Sequence, residues 1–564
     1  MNRRFDAVTV ALTGQLTYIL IVSTVLALAA SYLILRLYRR AVIKSMRRRS
    51  RSDLLEPKGY LPPEPELAPN QTPLEFVFVT RAAAPANADA ARLYRSASRR
   101  QWLAAGVQII AGCAFAAAMT VAFFISSKLP IYPFSFMYFT WAHAWPILIA
   151  LDAVAWISRR GKRIGSAIYL SIGIVLGAVL LMKSPGVSLA EVLYIWLDLN
   201  AIPTLLLLIF LNRRIRAVGP LVLIFMILGV TGATLAVTFT GANPKLLKAF
   251  SDFSLKIGLG PRGAISALHL LGFAVFAVAG WVLLEILRSL YVKKRMSEQS
   301  ITIDAVWLLF GIINSIGLVF EGRLWILSGL GAFIVYKVIA AGLFRAAGTA
   351  RRARSAGPRL LLLRVFALGK RSEQLYDGLG KFWRTVGSIQ MIAGPDLATS
   401  AIEPHEFLAF LSGRLARRFI DSGGALDLRM DQLDLKPDGE GQFRVTEFFC
   451  HDDTWKLTLA RLADESDAVL MDLRGFGAAN AGCVFEINAI FELVPLSRAV
   501  FAVDQSTDHG FMRRTMRQAW SQVKERSPNR RVASGQVALV DLSQSATSTQ
   551  DLLYAISAAA AGKP

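Results

Sequence analysis

Ser466-Asp467-Ala468-Val469-Leu470-Met471-Asp472-Leu473-Arg474-Gly475, followed by Asn480-Ala481-Gly482-Cys483-Val484-Phe485-Glu486, decides how the C-terminal part of this chain folds. An apolar run closed by an acidic residue at each end reads as a strand buried on both faces, because a half-exposed strand would alternate. That strand delivers Asp472 to its carboxyl end. Gly475 and Gly477 permit a tight turn. A helix then starts near Asn480 and carries Glu486 on its second turn.

The same alternation extends outward over residues 358–564. Arg359 to Phe366, Ile389 to Ala393, Phe443 to Phe449, Ala468 to Leu473, Ala499 to Val503 and Val537 to Leu542 read as strands. Helical periodicity covers Ser372 to Arg384, Pro404 to Ile420, Thr454 to Glu465, Gly482 to Val494, Phe511 to Lys524 and Thr549 to Ala560. Strands alternating with helices predict an α/β, doubly wound parallel sheet, long enough for a core of its own. Ligands of such sheets bind beyond the carboxyl ends of the strands. Those ends are polar here: Lys370 and Arg371 after the first, Cys450-His451-Asp452-Asp453 after the third, Asp472 to Gly475 after the fourth and Asp504 after the fifth. No GxGxxG or GxxxxGKS occurs within residues 358–564, so no dinucleotide or P-loop site is supported there and no cofactor is expected.

The stretch from Asp467 to Glu486 resembles the TIR superfamily, including its nucleoside 2-deoxyribosyltransferase-like branch. TIR domains often have a Cys three residues before the helix glutamate, as Cys483 and Glu486 stand here. The deoxyribosyltransferase-like branch often has a strand ending in Asp, a small-residue turn and a helix glutamate, matching Asp472, Asn480 and Glu486. Leu360 to Phe366 before a basic helical stretch, and Ile389 to Leu397 ending in Gly394-Pro395-Asp396-Leu397, look similar too. The resemblance covers 358–564 and nothing before it. It implies a flavodoxin-like sheet in which Glu486 contacts the ribose of a nucleotide during N-glycosidic bond cleavage; carboxylates suit the oxocarbenium-like transition state. Asp472, His451 and Asn480 would then be ligand-binding, and Lys370 or Arg371 would meet phosphate. Gly423 to Phe449 is longer than the usual connection of such domains and is expected to add strands. The same residues have plainer readings. A glutamate in the first turns of a helix is favoured by the helix field, Asp467 can cap a strand entry, and His451-Asp452-Asp453 can form an N-cap before Thr454.

Upstream the chain changes character. A spanning helix needs about 20 mostly apolar residues, and nine such runs lie near 11–35, 102–126, 133–157, 164–182, 189–211, 217–239, 264–287, 302–320 and 323–345. The first is too long for a signal-peptide core and is read as retained. This divides the chain into a first span with its basic flank (1–52), a proline-rich, mostly irregular cytoplasmic loop with a short helix near Asn87 to Arg99 (53–100), an eight-helix membrane domain (101–350) and the α/β domain. Arginines set the orientation. Arg36, Arg39, Arg40, Lys44 and Arg47 to Arg49 follow the first span and only Arg3 and Arg4 precede it, so the N-terminus is expected outside and the α/β domain in the cytoplasm of a multi-pass plasma or inner-membrane protein. Asn243 to Arg262 carries Lys245, Lys248, Lys256 and Arg262 on the outer side, with apolar Leu246, Leu247, Phe250, Phe253 and Leu255 between; this reads as a helix lying in the interface.

Asp152, Asp198, His143 and His269 fall inside apolar runs. Intramembrane ionisable groups point to function by default. Against that, Asp152 stands near the inner end of its span within reach of Arg159 or water, Asp198 and Asn200 precede Pro203 in what reads as a broken helix, and His143 between Trp141 and Trp145 reads as packed or interfacial.

Composition agrees with the spans. The 564 residues are 54% hydrophobic and 18% charged with net charge +23, and mean hydropathy is +0.45. The basic residues sit in short clusters between apolar runs, which excludes a nucleic-acid face as the reading of the charge. Cys113, Cys450 and Cys483 show neither CxxC nor Cys/His ligand spacing, so no disulfide framework or metal site is expected. The expected partners are the lipid bilayer, a nucleotide-type ligand and further copies of the chain. Three readings follow: a membrane protein whose TIR-like domain binds and cleaves a nucleotide-type ligand, a transporter or channel with a regulatory cytoplasmic domain, and a non-catalytic membrane scaffold.

Overall fold

A computed structural model describes residues 7–47, 72–80, 88–155, 159–348, 356–364, 370–393 and 410–562, apart from a few positions at 185, 211–217, 412–414, 434 and 544–547. Before the main sheet run α1 (Ala7–Met46), α2 (Ala88–Ser126), α3 (Pro133–His143), α4 (Ile147–Val154), α5 (Arg159–Lys183), α6 (Leu189–Phe210), α7 (Gly219–Ala242), α8 (Pro244–Lys256), α9 (Pro261–Val292), α10 (Glu298–Leu318) and α11 (Ser328–Ala346). Among the described residues eight helices are long and apolar enough to cross a membrane, and the pair α3–α4, bent by 45°, makes a ninth if it is one span. The bend falls at Ala144-Trp145-Pro146, where proline cannot continue the hydrogen-bond ladder. Lipid supplies no hydrophobic drive between helices, so they associate through close packing. On α7 and α9, Gly232 and Gly272 face each other so closely that a Cβ on Gly272 would stand 2.3 Å from the Gly232 carbonyl oxygen. Residues 244–256 form the short helix expected there, with Leu246, Leu247, Phe253 and Leu255 exposed.

The sheet has eight strands: β1 (Leu74–Phe78), β2 (Arg359–Arg364), β3 (Ser388–Ile392), β4 (Phe419–Ile420), β5 (Val445–Cys450), β6 (Ala468–Asp472), β7 (Ala499–Val503) and β8 (Gly535–Asp541), in the order β1-β8-β7-β6-β2-β3-β5-β4 with every pair parallel. Between them run α12 (Lys370–Trp383), α13 (Gly423–Asp431), α14 (Trp455–Glu465), α15 (Ala481–Leu493), α16 (His509–Ser521) and α17 (Ser548–Ala561). Helices cover both faces, as an all-parallel sheet requires. Leu361 and Leu363 of β2 enter one core with Leu459, Ile487 and Met512, while Leu360 and Leu362 enter the other with Phe382, Trp383 and Leu552. The chain passes from β2 outward to β3 and on to β4 at the edge, steps back to β5 between them, then crosses to the opposite side of β2 at β6. The strand order therefore reverses between β2 and β6.

Three expectations are corrected. The irregular loop over 53–100 contains β1, which lies in register with β8 from Leu74↔Gly535 to Phe78↔Leu539, and its edge is tied by Trp520 Nε1–H donating to the Thr72 carbonyl at 2.8 Å. The helix expected over Pro404 to Ile420 ends instead in a tight turn, Leu415–Arg418, and in β4 beside β5; its beginning lies outside the described residues. The long connection from Gly423 carries α13, and among its described residues the one strand is β5.

The short helix expected near Asn87 to Arg99 is the start of α2, a single helix of 39 residues, roughly 58 Å long. Its first turns pack on the sheet domain: Ala97 joins the core of α12 and α17, and Tyr94 lies 5.2 Å from the Phe382 ring. Its remainder crosses the membrane domain. Further ties run from β5 and its flanks to the ends of α1, α9 and α10. Arg444 lies 4.2 Å above the Tyr291 ring and donates to the Tyr291 carbonyl. Glu440 accepts from Ser297 Oγ at 2.8 Å and Ser300 Oγ at 2.5 Å. The Asp452 N–H donates to the Met46 carbonyl at 3.1 Å.

Candidate functional site

In open α/β sheets the crevice lies where strand order reverses, outside the carboxyl ends. Here that is the end of β2 beside the end of β6, with Arg364 and Asp472 in register. Gly475, at φ +69°, turns the chain after β6 in a conformation that disfavours a side chain. Asn480 Oδ1 accepts the Gly477 N–H at 2.9 Å and pins that turn, and α15 then brings Glu486 back over the sheet.

Glu486 is 3% exposed, and its Oε2 has no hydrogen-bond partner among the described residues. Burial pushes its carboxyl up to about 8, against smaller opposing effects of the Cys483 thiol and the positive charge of Arg364. Near neutral pH it is therefore largely protonated, and an acid held neutral can donate as well as accept a hydrogen bond. Cys483 lies one turn earlier on α15, with its Sγ 3.9 Å from the Arg364 carbonyl oxygen. Asp472, 1% exposed, is committed to Arg474: Oδ1 accepts from Arg474 Nε at 2.8 Å and Oδ2 from Nη2 at 2.7 Å, a bidentate buried pair. Asp504, at the end of β7, adds to the field that keeps Arg474 charged.

The structure thus brings Glu486, Asp472 and Asn480 to one corner of the sheet, with Asn480 and Asp472 already engaged in local hydrogen bonds. His451 stands apart, two strands from β2 and so about 10 Å away at ordinary strand spacing. Its Nδ1 lies 2.8 Å from the Ser45 carbonyl oxygen at the end of α1, and its ring stacks on Phe419 at 5.1 Å. The sequence pattern had no way to set that distance, because it depends on β3 and β5 pairing on the far side of β2. Lys370 and Arg371 open α12, and their side chains lie outside the described residues, as do 365–369 and 394–409, which include Gly394 to Leu397. Two cations to which the sequence pattern assigns no site role, Arg364 and Arg474, stand at this corner, each 8% exposed. The available signal was Arg364 standing alone in the apolar run Leu360 to Phe366. Asp467 accepts the Arg359 N–H at 2.8 Å, the strand-entry cap that its position allowed.

The intramembrane groups have local partners. His143 is buried, with Nδ1 2.9 Å from the Phe139 carbonyl oxygen and 3.2 Å from Thr120 Oγ1. His269 Nδ1 lies 2.9 Å from the Ile265 carbonyl oxygen. Asp152 meets Lys162 at 2.5 Å and Lys381 of α12 at 3.8 Å; the Arg159 side chain lies outside the described residues. The broken helix expected at Pro203 is continuous from Leu189 to Phe210; Asp198 is exposed, while Asn200 is buried and donates Nδ2–H to the Trp196 carbonyl at 3.0 Å. Asp304, 8% exposed and singled out by no motif in the sequence, pairs with Lys337 Nζ at 2.7 Å between α10 and α11.

No protein-family model matches the chain, and no match is found among curated proteins or solved structures. Among the described residues no group of three or more His, Cys, Asp and Glu side chains is arranged to hold a metal ion.

Proposed function

We propose that the sheet domain binds a nucleotide-type ligand at the crevice between β2 and β6 and cleaves its N-glycosidic bond, with the membrane helices as anchor or sensor. The observation that carries this reading is Glu486: a carboxyl buried at the reversal of strand order with one oxygen lacking any partner among the described residues. Keeping an unsatisfied carboxyl buried costs stability, which fits a group that finds its partner in a ligand. A protonated Glu486 donates to a ribose hydroxyl, and the same group as carboxylate favours positive charge developing at the anomeric carbon. Arg364 supplies a cation beside it for an anionic ligand. The arginine placement argues for this domain in the cytoplasm and the N-terminus outside; reporter fusions after residues 40 and 354 should both score cytoplasmic.

The test incubates the full chain in detergent with nucleosides, nucleotides and dinucleotides. Thermal shift reads binding, and chromatography reads released base. Glu486→Gln is expected to abolish base release while the protein still folds. Release that survives this substitution, or a panel that neither shifts the melting temperature nor yields base, would overturn the reading. A second reading, transport regulated by the sheet domain, is favoured by the Asp304–Lys337 pair inside the membrane domain.

A further inference from the structure

Where the sheet domain meets the membrane helices there is a cavity of about 210 Å³. Arg100 and Leu103 of α2, Phe344 of α11, Val386 after α12, and Glu440 and Gln442 of the loop before β5 line it. Its depth is marked by α2. Trp102 beside it is 71% exposed, and an outward tryptophan next to arginines Arg99 and Arg100 is the signature of the headgroup level of a bilayer. The walls are sorted by chemistry. Leu103, Phe344 and Val386 are apolar. Arg100 is cationic, with Nη1 donating to the Thr385 carbonyl at 2.5 Å. On the opposite loop stands the carboxylate of Glu440, which already accepts from Ser297 and Ser300, and Gln442 is 7% exposed with its Oε1 buried and lacking any donor among the described residues. A lone anion would meet Glu440 and a lone cation would meet Arg100, so a group carrying both charges fits better than either.

We infer that this cavity takes the headgroup of a zwitterionic, primary-amine phospholipid, with phosphate at Arg100, ammonium at Glu440 and Gln442, and the glycerol and upper acyl carbons along Leu103 and Phe344. An ammonium with three N–H donors supplies the hydrogen bond that Gln442 Oε1 lacks, whereas a quaternary choline has no N–H to give. An anionic glycerol headgroup satisfies Arg100 and leaves Glu440 facing a negative charge. The lipid would thereby bridge α2, α11 and the loop that holds the sheet domain to α10.

Delipidated full-length protein, exchanged into detergent with equal phosphatidylethanolamine, phosphatidylcholine and phosphatidylglycerol, is read by native mass spectrometry. Phosphatidylethanolamine should be retained at least tenfold over phosphatidylcholine, and Gln442→Leu, which keeps the volume, should remove most of that preference. Arg100→Gln should lower retention of all three lipids; because it also removes the bond to Thr385, Gln442→Leu is the deciding variant. Equal retention of ethanolamine and choline lipids, or an unchanged preference in Gln442→Leu, overturns the proposal. So does binding of free phosphoethanolamine at the affinity of the lipid, since the apolar wall would then contribute nothing.

Discussion

Glu486 should leave a titration signature in the stability of the protein. An ordinary glutamate in the unfolded chain loses its proton near 4.5, whereas burial holds the native one up to about 8. Between these values the native state binds the extra proton, so the group's contribution is complete below the lower value and is lost as pH rises through the upper one. The wild-type melting temperature is therefore expected to fall more steeply between pH 5 and 8 than that of Glu486→Gln, whose amide stays neutral throughout. Parallel curves for the two proteins would mean that Glu486 is ionised in the native state. Of the candidate site, the strand, turn and helix that position Glu486 were legible in sequence because all three are local. Arg364 was hidden because an arginine inside an apolar strand looks like part of the strand. His451 was misplaced because the distance between strand ends depends on pairing order, which local patterns do not encode.

β1 shows what an element owes to its context. Leu74–Phe78 has five residues and a mixed burial pattern, too little for periodicity to mark. It is a strand because β8 offers an edge and Trp520 reaches the carbonyl before it. A fragment beginning at residue 356 lacks this strand and the α2 turn that packs on α12 and α17. It is expected to self-associate through the bared β8 edge, and a peptide covering 70–80 should return it to monomer in sedimentation velocity; a monomeric fragment would show that β1 is dispensable. The other strands and their helices were readable because burial on two faces leaves continuous apolar runs that parallel sheets share. The exceptions are β4, which has two residues and is submerged in a helical pattern, and α13, a helix where added strands are expected.

Across the whole molecule the sheet domain is fastened to the membrane domain by side chains from β5 and its preceding loop, together with the shared helix α2. Arg444→Ala removes the guanidinium from Tyr291, a contact worth about 1–2 kcal/mol when partly desolvated. Amide exchange over 436–444 should accelerate accordingly while exchange in β6 and β7 stays unchanged; equal acceleration in both would make the junction part of one cooperative unit. Within the membrane domain, Asp304→Leu strands Lys337. The cost should fall below the about 3–5 kcal/mol of a fully buried pair, because the Lys337 side chain is 38% exposed. Asp304→Leu combined with Lys337→Met should recover most of the lost thermal stability in detergent. If the double variant is no better than the single one, the pair is not what holds α10 to α11.

The pairing of β1 with β8 also sets a timetable for biogenesis. Phe78 leaves the ribosome roughly 460 residues before the first residue of its partner at Gly535, an interval of roughly 20–90 s at ordinary rates of synthesis. The membrane helices after α1 are inserted in the first part of that time and the rest of the sheet is made in the second, and until β8 emerges the strand has no edge to pair with. The sheet is therefore closed last, by its earliest-made strand, and a nascent chain stalled anywhere before 535 presents an open β7 edge or unpaired sheet segments to the quality-control machinery of the membrane.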